Sequence, residues 1–85
     1  MVLEIIWSAS AIKDLKKIDR SIAKRIFIMI TRLKDDPYHN IIKLTNSPYY
    51  RLRVGDYRVI LDIQNKQLRI LVIKIGHRKK IYDSI

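Results

Sequence analysis

The sequence predicts an α+β fold in which a pair of helices covers one face of a mostly antiparallel sheet, in the order β-α-α-β-β-β. Three observations predict it. Apolar residues recur at helical spacing between residues 11 and 33. From Tyr49 onward the pattern changes to alternation with period two, the mark of strands. Two dipeptides suited to tight turns, Gly55-Asp56 and Asn65-Lys66, divide that second half into three runs. A chain of 85 residues has room for one domain, residues 1–85, with a modest core.

The elements follow in order. Val2–Trp7 reads as a short strand rich in β-branched and aromatic residues. Ser8 or Ser10 can cap the helix that carries Ala11, Leu15 and Ile18 on one face and Lys13, Lys16 and Lys17 on the other. Asp19 can cap a second helix whose buried stripe is Ile22, Ile26, Met29, Ile30 and Leu33. Pro37 stops it, because the residue before a proline avoids the helical region. So few residues join the helices that they must form an antiparallel hairpin. Residues 36–48 read as a loop, with Pro37, Asn40, Asn46 and Pro48. Three strands follow, over Tyr49–Val54, Tyr57–Ile63 and Leu68–Ile75, and then a short basic tail.

Composition narrows the function classes. There is no cysteine, so disulfides and thiolate chemistry are excluded, which suits a reducing cytoplasm. Two histidines and no ligand cluster give no expectation of a metal, and no cofactor motif is present. Met1 to Trp7 is an apolar run broken by Glu4 and does not read as a signal peptide. No apolar stretch approaches the roughly 18 residues that span a bilayer. The 18 basic against 8 acidic side chains leave a net charge of +10, and residues 41–85 carry most of the excess. A basic field of that size points to a polyanion or an acidic partner.

A two-residue turn at Gly55-Asp56 makes this charge specific. It sets Val54 opposite Tyr57 and Arg53 opposite Arg58. Because side chains alternate, Tyr50, Leu52, Val54, Tyr57, Val59 and Leu61 share one apolar face suited to the helices. Arg51, Arg53 and Arg58 share the other. Like charges directly opposed destabilise a sheet. Phosphate resolves the conflict, since guanidinium forks match its oxygens two by two. A two-residue turn at Asn65-Lys66 would place Asp62 opposite Arg69, and Ile60, Leu71, Ile73 and Ile75 on the arginine face. Mixed apolar and charged surface of this kind is also suited to a protein partner.

The stretch Tyr50-Arg51-Leu52-Arg53-Val54-Gly55-Asp56-Tyr57-Arg58-Val59-Ile60 resembles the hallmark of the RelE/ParE toxin superfamily. The later Ile75-Gly76-His77-Arg78-Lys79-Lys80-Ile81-Tyr82 resembles its C-terminal signature. The resemblance covers essentially the whole chain, and its paired motifs are more specific for the superfamily than for the RelE branch within it. It implies the toxin of a type II toxin–antitoxin pair. Such a toxin is a ribosome-dependent, metal-independent messenger RNA endonuclease in which a 2′-hydroxyl attacks the adjacent phosphate. A RelB-like antitoxin that wraps the toxin in helices is the implied partner. Carried over residue by residue, the resemblance implies catalytic roles for Arg58, Arg78 and Tyr82, and RNA-binding roles for Arg51 and Arg53. The neighbouring Lys79 and Lys80 extend the basic tail toward RNA. Better-known members carry lysines where this chain has Arg51 and Arg53. Arginine does not give up its proton, so His77, which titrates near neutrality, becomes a candidate for proton transfer. The superfamily's other branch implies an alternative, a ParE-like toxin that blocks DNA gyrase by binding it.

Overall fold

The computed structural model describes residues 3–81. Strand β1 (Glu4–Trp7) leads into helices α1 (Ala9–Lys17) and α2 (Arg20–Arg32), then into β2 (Ile41–Lys43), β3 (Tyr50–Val54), β4 (Tyr57–Gln64) and β5 (Arg69–His77). The sheet order is β1-β5-β4-β3-β2, with β1 parallel to β5 and every other pair antiparallel. The predicted order of elements holds, with one strand added.

Both helices start where side chains can satisfy their free amides. Ser8, rather than Ser10, caps α1. Its Oγ accepts from the Ala11 amide at 3.0 Å, while its own hydroxyl donates to the Ile73 carbonyl at 2.7 Å. One serine thus starts a helix and ties it to β5. Asp19 caps α2 by accepting from the Ser21 amide and, at 2.6 Å, from the Ser21 hydroxyl. The Ser21 hydroxyl first, and the Ser21 amide second, hold the Asp19 carboxyl below its ordinary value of 3.8. A depressed folded pKa stabilises the fold above the unfolded value and loses that contribution as pH falls through the folded one. The stability lead of the wild type over Asp19→Ala is therefore expected to shrink as thermal unfolding is followed downward through about pH 4.

The helices bury Ala11, Ile26, Ile30 and Leu33 against Leu52, Val54, Val59, Leu61, Ile70 and Val72 of the sheet. Each buried Val, Leu or Ile among them contributes about 1.5–3 kcal/mol of transfer free energy. α1 continues along β5 where β1 has ended. There Asp14 accepts from the Ile75 amide at 3.1 Å and from Lys74 Nζ at 3.2 Å, so a carboxylate takes the place of a strand partner.

Four expectations need correction. α2 does not run to Pro37. It ends at Arg32, and the chain tightens into i→i+3 bonds at Leu33, Lys34 and Asp35, with the Lys34 carbonyl taken by the Leu3 amide. The 36–48 loop holds the edge strand β2, which pairs Ile41 with Leu52 and Lys43 with Tyr50. The Asn65-Lys66 turn spans Asn65–Gln67 as a 3₁₀ turn and closes on Leu68 at φ 54°. Asp62 therefore pairs with Leu71 rather than Arg69, although Arg69 Nε donates to Gln64 and Gln64 donates in turn to Asp62. Lastly, β5 carries a bulge. Leu61 pairs with Val72 but Ile60 with Lys74, so Ile73 is supernumerary and later residues exchange faces. Ile75 consequently enters the core instead of the arginine face, at 2% exposure.

Candidate nucleic-acid interface

The β3–β4 hairpin forms in the expected register. Val54 pairs with Tyr57, Arg53 with Arg58 and Arg51 with Ile60. Gly55 supplies the φ of +57° that the turn requires. Across β5, Arg58 pairs with Gly76 and Ile60 with Lys74. The face away from the helices therefore carries Arg53, Arg58 and Gly76 in one row, with Arg51 and Ile60 in the next.

Arg58 is the central feature. It is 7% exposed and is the buried charged residue among those described. Its Nη1 donates to the carbonyls of Gly55 and Tyr57, each at 3.0 Å. The turn's own carbonyls thus offset part of the like-charge conflict with Arg53. A guanidinium has five donors, and these bonds use one nitrogen, leaving the Nε–Nη2 edge outside them. Backbone anchoring fixes the cation before any anion arrives.

The chain's tail returns over this face. A Cβ on Gly76 would stand 2.9 Å from Ile81 Cδ1, so the missing side chain makes the seat for Ile81, which is 1% exposed. Ile60 is fully buried on the same face. Glycine at 76 read in the sequence only as the start of a tail. No local signal marked it as a seat, because its partner lies five residues on in a segment without periodicity.

The other candidates sit around Arg58. Arg53 is exposed and borders an open depression of about 430 Å³ lined also by Met29, Asn40, Ile41 and Ile42. Arg51 is half-buried beside it. Arg78 follows the end of β5. Its amide donates to the Asp56 carbonyl at 2.8 Å, and its Nη1 lies 3.9 Å from Asp56 Oδ1. Lys79 and Lys80 are exposed in the same turn, and the Lys80 amide donates to the His77 carbonyl. His77 stands apart. The bulge pairs it with Tyr57, a residue of the helix-side face, and the two rings meet edge to face at 5.8 Å. Its Nδ1 accepts from the Lys79 amide at 3.3 Å. Tyr82 lies outside the described residues. Among the described residues no three His, Cys, Asp or Glu side chains gather as a metal site, and no helix is long and apolar enough to cross a membrane.

Residues 5–82 match the family model described as the ParE toxin of the type II toxin–antitoxin system, parDE. The chain is also 31% identical over 87 residues to Toxin RelE3 of Methanocaldococcus jannaschii, covering 95% of this chain and 97% of that protein. The chain belongs to the RelE/ParE toxin superfamily. Among solved structures, this toxin is similar to RelE in the archaeal RelE–RelB complex of Pyrococcus horikoshii. The identity is 26% and the TM-score 0.82, over 92% of this chain and 97% of that one. The toxin–antitoxin complex RelBE2 of Mycobacterium tuberculosis matches with a TM-score of 0.83 at 18% identity, over 92% and 100% of the two chains, a likeness of fold. The two helices on a five-stranded, mostly antiparallel sheet are thus the architecture of RelE-type toxins.

Proposed function

We propose that this toxin is a messenger RNA endonuclease that acts on the ribosome, in the cytoplasm, and is held inactive by a RelB-like antitoxin. The observation that carries the reading is the buried, backbone-anchored Arg58 in a row with exposed Arg53 and beside half-buried Arg51. In this reading the attacking ribose 2′-oxygen forms a bond to the adjacent phosphorus as the bond from phosphorus to the 5′-oxygen breaks. The products are a cyclic phosphate and a free 5′-hydroxyl. The 2′ proton leaves to a base and a second proton reaches the 5′-oxygen. Arg58 and Arg78 stabilise the charge that develops on the phosphorane, the largest contribution a preformed site makes. Arg51, Arg53, Lys79 and Lys80 bind the flanking phosphates. Tyr82 and His77 are the candidates for proton transfer. The Pyrococcus relative's complex with RelB supports the choice of antitoxin, as do the net charge and the 57% exposed Ile42 next to Arg51 in the sheet.

The test is primer extension on a reporter message in a translating extract, with purified toxin added. Cuts confined to message under translation are the expected result. The match to the ParE model makes gyrase the control. Intact message together with arrested supercoiling by gyrase in a parallel tube would replace the RNA reading with the ParE-like one.

A further inference from the structure

The β3–β4 turn holds two arginines at once, by different means. Gly55 and Tyr57 offer their carbonyls to the Arg58 guanidinium. Asp56, between them, offers its carbonyl to the Arg78 amide and places its carboxylate beside the Arg78 side chain. We propose that Asp56 is a positioning residue of the RNA site, aiming Arg78 at the phosphate that Arg58 receives. The inference rests on the RNA-cleavage reading above.

Arg78 needs such a device. It lies just beyond His77, the last paired residue of β5, so the sheet no longer fixes its backbone. Its side chain is half exposed, and a long, flexible arginine loses rotamer entropy on being held. The cationic row of Arg53 and Arg58 repels it, and a carboxylate on the turn draws it back. The contact is also of a kind that does little for stability. At 3.9 Å, with both partners open to water, such a pair stabilises a fold only weakly. A close two-pronged pair would occupy the guanidinium fork. A single loose corner restrains Arg78 and leaves its remaining donors for phosphate oxygens.

Asp56→Asn isolates the charge, because asparagine suits the same turn and keeps the backbone carbonyl. Three quantities are compared with wild type: single-turnover cleavage of translated message, affinity for the message-loaded ribosome, and thermal midpoint. The expected result is cleavage slowed about five- to tenfold, with affinity and midpoint nearly unchanged, as for an interaction that matters in the transition state. In NMR spectra of the free toxin, the Arg78 Nε–Hε resonance should lose its restraint in Asp56→Asn while that of Arg58 stays fixed. Wild-type cleavage by the variant, or an unchanged Arg78 resonance, would overturn the proposal. Faster cleavage would overturn it too, since the carboxylate would then be masking Arg78. A wild type that cuts no message sinks the RNA reading itself, and a variant equal to an active wild type sinks only the role of Asp56.

Discussion

Arg58→Ala is expected to lower message cleavage by about 10²–10³-fold at unchanged ribosome concentration, the cost typical of losing one fixed donor to developing charge. The side chain has no near substitute in the fold. Arg53 is its cross-strand neighbour but is exposed and unanchored by the turn, and Arg78 hangs from the turn by its amide. Arg58→Lys should recover little. An ammonium could still meet the Gly55 and Tyr57 carbonyls, but it has no second edge to present to a phosphate. Retained binding of a RelB-like antitoxin would show that the variant is folded, so the loss can be assigned to chemistry. An Arg58→Ala toxin that cut message at the wild-type rate would remove the arginine face from the mechanism.

Ile26→Ala should be the most damaging of the simple truncations to stability. Ile26 is fully buried in α2, against the sheet's helix-side face, and large-to-small changes at such sites cost about 2–5 kcal/mol. In a chain of this size each kcal/mol lowers the melting midpoint by about 4–8 °C, so a fall of at least about 8 °C is expected by calorimetry. The adjacent Phe27 provides the control. It is 52% exposed and stacks on Trp7 at 5.9 Å, so Phe27→Ala should cost less than half as much. Equal losses at the two positions would mean that α2 meets the sheet by a different face.

The hairpin that organises the arginines was legible because two independent signals coincide there. Period-two alternation assigns the faces, and a Gly-Asp pair sets the register by fixing the turn at two residues. The helix caps were legible for the same reason, Asp19 outright and Ser8 as one of two serines: each precedes apolar periodicity and finds an amide within three residues. The remaining features lack such coincidences. β2 is three residues long, too short to show alternation, and breakers flank it. The turn after β4 closes with a leucine in the left-handed region, which no propensity recommends. The bulge at Ile73 is invisible locally, since Leu71 to Ile75 reads as an unbroken strand and the extra residue shows only against β4. Within the candidate site, the arginines could be placed from the sequence. The depth of Arg58, the seat at Gly76 and the tie from Asp56 to Arg78 could not, because each depends on a contact between separate segments.

The bulge acts on β5 as a half-period phase shift. Everything before Ile73 keeps time with the root of the sheet, and everything after it keeps the opposite time. Forcing that one residue into the ladder, opposite Ile60, would be a mirror operation on the strand's whole working end. Ile75 would surface among the arginines, Gly76 would turn toward the helices, and the hollow that receives Ile81 would open on the wrong side. A frame of reference shared by the row of cations and the returning tail thus hangs on one uncounted residue, whose carbonyl the helix-capping Ser8 holds.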